Sequence, residues 1–227
     1  MATAREVALQ TLIDTLVGGA YSNHALNDQF SKNELSPQDK NFATEIVYGT
    51  LQNHRLLEFY MEPYLNGKAK KWVRLLIEMT LYQIIFLDSV PEHAAVSEAV
   101  AIAKKRGGDF NGKLVNAISR EVLRHELRTF EQITDEAEAL GIQTSHPTWL
   151  IKLWMKQYGR ETTMQMLKAN NERVQVSIRV NTVKCTKEQL KAILTNEGIT
   201  VRNGYLSPDA LIVEKGNAIA TQAFKDG

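Results

Sequence analysis

The stretch Val73-Arg74-Leu75-Leu76-Ile77-Glu78-Met79-Thr80-Leu81-Tyr82-Gln83-Ile84-Ile85 decides the fold. Val73, Leu76, Ile77, Leu81, Ile84 and Ile85 recur with helical spacing and cover a wide face. A helix apolar over so much of its circumference is a central one, with others packed round it. Upstream, Leu9, Leu12, Ile13 and Leu16 fall at i, i+3, i+4 and i+7 and predict one buried stripe, stopped by Gly18-Gly19. Ser22 is placed to cap a short helix with Leu26 and Phe30 turned inward. Ser36-Pro37-Gln38-Asp39 reads as a helix start: a capping hydroxyl, proline at the first helical position and an acid three residues after the cap. Phe42, Ile46 and Val47 follow on one face, and Pro63 and Gly67 bracket the end of that helical region. Downstream, Val90-Pro91 interrupts. Ala95, Ala99 and Ala103 predict a close-packed helix ended by Gly107-Gly108. Leu114, Val115, Ile118 and Val122 predict a last one. Residues 1–128 are therefore expected to form an all-helical domain.

The composition then changes. Residues 129–145 carry Glu131, Asp135, Glu136 and Glu138, with no basic residue between Thr129 and Leu140. They read as an acidic, solvated linker with room for a partial helix. A second unit is expected over 146–227. Trp149, Leu150, Leu153, Trp154 and Met155 predict an amphipathic helix ending at Gly159, with Met164 and Leu167 on another. The two tryptophans, five apart, read as core anchors on adjoining faces. The period then changes to alternation, with Val174, Val176, Ile178 and Val180 on one parity and Arg179 and Asn181 on the other. Leu190, Ile193 and Leu194 give a helix ended by Gly198. Ile199–Val201 and Leu211–Val213 are strand candidates. The fold class expected is mainly α: a helical domain followed by a small, truncated α+β subdomain.

The chain has 227 residues, of which 44% are hydrophobic, and a formal net charge of +1. Its overall field is too weak to draw it onto nucleic acid, so any such binding needs a local basic face. Cys185 is the single cysteine, so no disulfide can form within the chain. The first twenty residues include Arg5, Glu6 and Asp14 and do not read as a secretory signal. A reducing, cytoplasmic location is expected. Leu75 to Leu87, broken by Glu78, is too short to span a bilayer, and no membrane partner is expected.

Most catalytic signatures are missing. No GxGxxG or phosphate-cradling GxxxxGK[ST] sequence occurs. The histidines at 24, 54, 93, 125 and 146 have no metal-ligand spacing, so no metal is expected. Cys185, in Val-Lys-Cys-Thr-Lys, has no identifiable base or oxyanion partner and reads as an incidental half-buried thiol.

Basic residues are the informative feature. Between Ala101 and Arg128, seven of them (Lys104, Lys105, Arg106, Lys113, Arg120, Arg124 and Arg128) stand against Asp109, Glu121 and Glu126. Arg120, Arg124 and Arg128 repeat every four residues and are expected to climb one helical face. Lys104-Lys105-Arg106 sit at a helix end beside two glycines. Such a cluster suits phosphate contacts. It also suits a helix C-terminus and a solvated face, and the residues alone leave both open. Arg179 and Asn181 raise the same choice. Their outward side chains fit phosphate, ribose or a base edge, or else an Arg–carboxylate pair and a turn-forming Asn.

Residues 1 to about 127 resemble the NusB family, a helical RNA-binding fold. The resemblance lies in Ala4-Arg5-Glu6-Val7-Ala8-Leu9, Asp39-Lys40-Asn41-Phe42 and Tyr82-Gln83. It continues through Val90-Pro91-Glu92-His93-Ala94-Ala95-Val96-Ser97-Glu98-Ala99-Val100 and Val115-Asn116-Ala117-Ile118-Ser119-Arg120. At Ile77-Glu78 the chain departs from the Leu-Arg common in the family. Further on, His146-Pro147-Thr148-Trp149-Leu150, Tyr158-Gly159, Ala169-Asn170-Asn171 and Ile178-Arg179-Val180-Asn181-Thr182 are similar to a segment of the Sun/Fmu family. In that family it joins a NusB-like domain to a methyltransferase domain.

The resemblance implies transfer of a methyl group from S-adenosylmethionine to C5 of a cytosine in 16S ribosomal RNA by the full-length protein. The two catalytic cysteines of that family cannot be placed here. This chain is thus expected to bind no cofactor and to be inactive alone, with a catalytic domain of the same protein following Gly227. The implied partners are 16S ribosomal RNA and that missing domain. Arg5, Lys104, Lys105, Arg106, Lys113, Arg120, Arg124, Arg179 and Asn181 are the RNA-binding candidates. The rival readings are a NusB-type antitermination factor and an adaptor that only stabilises an enzyme.

Overall fold

Helices begin where short polar side chains take up the free N–H groups of a first turn. In the computed structural model, which describes residues 2–65, 69–172 and 174–227, the Thr3 hydroxyl accepts from the Glu6 N–H. The Glu6 carboxylate accepts in return from the Thr3 N–H at 2.9 Å, opening α1 (Ala4–Leu16). Helix α2 (Ser22–Lys32) starts one residue after Tyr21, which gives no side-chain cap. Ser36 caps α3 (Pro37–Gln52), with Pro37 in the first turn as expected. The helical region that the sequence carries on to Pro63 is divided at Asn53. Helix α4 (His54–Met61) follows, then a 3-10 turn over Glu62–Tyr64. Gly67 lies outside the described residues.

Helix α5 (Lys71–Phe86) is buried at every position from Leu75 to Gln83. It packs against α1, α3, α4 and the next helix, α6 (Glu92–Arg124). This is the central helix that its wide apolar face predicts. Two expectations shift at its margins. Ile84 is half-buried and does not belong to the closed core. Leu16, at the end of the α1 stripe, is exposed. Helix α6 is broken at Gly108 (φ 80°, ψ 177°), a conformation open essentially only to glycine. The stop predicted at Gly107-Gly108 occurs there, and the chain turns helical again at once.

The acidic segment, expected as a linker with room for a partial helix, contains one and is packed. Asp135 accepts from the N–H groups of Ala137 and Glu138 to open α7 (Glu136–Gln143). Ala137 shares a small core with Ile151 and Leu167 of α8 (Thr148–Asn171). Arg55 of α4 ties this layer down. Its guanidinium donates to Glu138 at 2.8 Å, to the Thr148 hydroxyl at 3.2 Å and to the His146 carbonyl. The first compact unit therefore runs to Asn171, past the expected boundary at 128, and the second covers Glu172–Gly227. Helix α8 is interrupted at Gly159 (φ 78°), as its sequence predicts. Trp154 packs against the small core, whereas Trp149 is exposed and anchors nothing.

The second unit contains a three-stranded antiparallel sheet of order β1-β3-β2, from β1 (Val176–Arg179), β2 (Thr200–Asn203) and β3 (Ala210–Lys215). Ile178 pairs with Leu211, and Arg179 with Ala210. Helix α9 (Lys187–Asn196) opens on a capping box from Thr186 and Gln189. Val180, Leu194, Ile199 and Leu211 form the core. The alternation over β1 buries only its last part, since Val174 and Val176 are exposed. A 3-10 turn over Ala218–Ala220 and α10 (Gln222–Asp226), neither expected, end the described chain.

Candidate nucleic-acid interface

In the helical unit the basic candidates divide by how firmly the fold engages them. Arg5 is held within the bundle. Its Nε donates to Gln83 Oε1 at 2.7 Å, and its guanidinium lies 4.9 Å from the centre of the Phe42 ring. Burial pulls its pKa down, and Glu98 opposes the shift. Arg128 leaves the row predicted for it. The helix ends at Arg124, His125 is extended, and the Arg128 guanidinium stacks 4.0 Å from the Phe59 ring centre while pairing with Glu62. Arg120 and Arg124 do share the second half of α6 and remain exposed. Arg120 Nε donates to Asn116 Oδ1 at 3.0 Å, and Arg124 pairs with Glu121 at 2.5 Å.

Three consecutive cations, Lys104, Lys105 and Arg106, stand beside the Gly108 break. Lys105 Nζ is 2.7 Å from Glu6 Oε1, and Arg106 donates to Gln10 Oε1 at 3.0 Å while lying over the Trp72 ring. These contacts fix the cations against α1 and leave Lys105 largely exposed. Lys104 faces Asp109 at 3.6 Å, and its stem crosses Gly112 so closely that a Cβ there would meet Lys104 Cγ at 2.5 Å. Lys113 is exposed and makes no ion pair among the described residues. Between Lys104 and Lys113 stands Phe110, 76% exposed. A large aromatic so open to water amid cations suits a base-stacking surface. The sequence reading misses it because Phe110 belongs to no apolar stripe. Its position beside Gly107-Gly108 and among lysines was the available signal.

In the second unit Arg179 ends β1 and is exposed, with no hydrogen-bonded or ion-paired partner among the described residues. Asn181 takes the structural alternative. Its Nδ2 donates to the Gly227 carbonyl at 3.0 Å, and its Oδ1 accepts from the Val183 N–H in the turn after β1. The two side chains thus have different jobs. Cys185 is half-buried against the sheet core.

Glu78, whose negative charge departs from the family pattern, is buried and faces no solvent. His54 Nδ1 lies 2.6 Å from its Oε2. Burial pushes the Glu78 carboxyl up, partly offset by the bond to His54, and that bond in turn raises the imidazole. Among the described residues no group of His, Cys, Asp and Glu could hold a metal ion.

A model of the NusB family matches residues 2–124, and a model described as the Methyltr_RsmF/B-like, ferredoxin-like domain matches residues 146–220. A probable ribosomal RNA small subunit methyltransferase B of Bacillus subtilis (strain 168) is 37% identical over 227 residues, covering 99% of this chain and 51% of the relative. A protein of the same description from Synechocystis sp. is 30% identical over 203 residues, covering 88% and 46%. The chain spans about half the length of the curated relatives it matches. The crystal structure of PH0851 superposes on 99% of this chain and 52% of its own, with a TM-score of 0.68 at 19% identity. That of the antitermination factors NusB and NusE in complex with dsRNA covers 53% of this chain and 93% of its own, with a TM-score of 0.50 at 20% identity. At such identities these two likenesses concern the fold alone.

Proposed function

The chain belongs to the NusB family, and from that premise we propose that it is the RNA-recognition portion of a longer, S-adenosylmethionine-dependent methyltransferase acting on C5 of a cytosine in 16S ribosomal RNA. The observation that carries the RNA reading is the surface at the Gly108 break. There Lys104, Lys105, Arg106 and Lys113 flank an exposed Phe110 in the sequence on either side of the break. Cations meet phosphates and the ring meets a base, which is how proteins grip single-stranded or unpaired nucleotides. Arg120 and Arg124 extend the phosphate track along α6. Arg179 adds a local contact in the second unit, and Asn181 shapes the turn beside it.

The match over residues 146–220 favours this reading over an antitermination factor, which has no need of such a domain. Among the described residues no helix is long and apolar enough to cross a membrane, and the proposed location is the cytoplasm, where 16S ribosomal RNA is found. The cofactor belongs to the longer protein. No step of methyl transfer is therefore assigned to this chain, and the catalytic domain is proposed to be a further part of the same protein.

Two variants separate the charged and the aromatic contributions. Changing Arg120 and Arg124 together to alanine should weaken binding of small-subunit RNA and reduce the salt slope by about one unit per lost phosphate contact. Phe110→Ala should weaken it by about 1–3 kcal/mol, the range for a stacked base, and leave the slope unchanged. Binding isotherms at several salt concentrations measure both. Unchanged affinity and slope in both variants would leave the adaptor reading standing.

A further inference from the structure

The second unit contains a cleft of about 580 Å³ between β1, α9 and α10. That is the size of pockets that enclose small ligands. Its floor is apolar, with Ile178 and Leu194 reaching it from the sheet and α9. Phe224 lines one wall and is 54% exposed. Two cations, Arg179 and Lys184, stand at the rim.

Two carboxylates also line the cleft, and both are occupied. Glu197 accepts from the N–H groups of Gln222 at 2.8 Å and Ala223 at 3.2 Å, closing the first turn of α10. Asp226 Oδ1 accepts from Gln222 Nε2 at 2.7 Å. At the far end of α10, Asn181 donates to the Gly227 carbonyl and Lys184 to that of Asp226. The short helix that carries Phe224 is thus tied at both ends. The guanidinium of Arg179 alone is left without a partner among the described residues. An aromatic side chain, apolar lining residues and a guanidinium without a partner among the described residues match the two parts of a nucleotide, a flat base and a phosphate.

We propose that this cleft seats one unstacked nucleobase of single-stranded RNA, with its ring against Phe224 and the adjoining phosphate on Arg179. The inference rests on the RNA reading given above and adds to it a defined nucleotide seat. A segment of polypeptide is the competing occupant. The unpaired cation favours the nucleotide, because every nucleotide brings a phosphate beside its base, whereas a peptide brings an anion only through an acidic side chain.

The test is binding of a short single-stranded oligoribonucleotide to the full 227-residue chain, followed by backbone amide resonances and by affinity. The resonances of residues lining the cleft should move on titration. Phe224→Ala should weaken binding about tenfold, at the low end for one stacked base. Phe224→Leu, which keeps an apolar side chain and loses the π-face, should weaken it nearly as much. Arg179→Lys should restore part of what Arg179→Ala loses. If Phe224→Leu binds like the unaltered chain, or the lining resonances stay still while RNA binds, the cleft is no nucleotide seat, and a silent cleft in a chain that binds RNA leaves the α6 surface intact as the RNA site. If no RNA binds at all, the broader RNA reading fails with it.

Discussion

Leu76→Ala is expected to destabilise the helical unit by about 2–5 kcal/mol, the range for truncating a fully buried leucine. Leu76 has no exposed surface and lies on the helix that touches α1, α3, α4 and α6, so the cavity would open where four neighbours meet. Packed interiors relax only partly round such a void. Ile84 is the control, on the same helix two turns on. It is half-buried, and Ile84→Ala should cost clearly less. Urea unfolding read at an unchanged m-value gives both numbers. Equal costs at the two positions would mean that α5 is not centred as described.

The second large effect is at His54. Removing its imidazole as His54→Ala would leave the Glu78 carboxylate, 1% exposed, without its hydrogen-bond partner. An unsatisfied buried polar group costs about 1–3 kcal/mol, and the partial exposure of His54 to solvent keeps the expectation within that range. The pair also sets a pH dependence whose sign follows from the directions of its shifts. Both groups bind protons more tightly in the folded state than in the unfolded chain, where their ordinary values are 4.5 and 6.5. Their contribution is complete below those values and is lost as pH rises through the folded ones.

In structural terms, deprotonation leaves a buried carboxylate beside a ring that no longer carries a positive charge. Glu58 and Arg74 are the other charges that act on the pair, with opposite effects. The lowered carboxyls of Glu6 and Asp135 act in the opposite sense and at lower pH. The raised tyrosines, Tyr60 and Tyr82, act only above 10. The His54 contribution should therefore appear as a loss of stability from about pH 6.5 upward, in line with that proton linkage. His54→Gln should flatten the curve there. Parallel stability curves for the two proteins would contradict the assignment.

Much of the helical unit is legible in its sequence, for a physical reason. The stripes of α1, α3, α5 and α6 repeat at the helical period, and Ser36, Pro91 and Gly108 punctuate them with residues whose backbone preferences are strong. The division at Asn53 is not legible, because Leu56, Leu57 and Phe59 continue an apolar pattern across it. The packing of the acidic segment is hidden too. It depends on Arg55, which lies some eighty residues earlier and carries no local sign of its distant partners, Glu138, His146 and Thr148.

The candidate interface divides in the same way. A cluster of lysines can be counted in the sequence, but the engagement of Arg5 by Gln83 and Phe42 cannot. Nor can the loss of Arg128 from the helical row, which follows from the helix ending at Arg124. Phe110 is invisible to periodicity because it is left out of the core. Asn181 was open between two roles, and only the position of α10 decides where its amide points.

The proposed function requires RNA to be held at the surface beside the Gly108 break. Its most direct test is the affinity of the chain for small-subunit RNA as a function of salt, with Lys104, Lys105 and Arg106 unaltered and with all three changed to alanine. The account predicts a linear fall of log K with log salt for the unaltered chain. In the altered chain the affinity should be lower and the slope shallower by about one unit for each phosphate contact removed. Identical affinities and slopes for the two proteins, with both still folded, would contradict it.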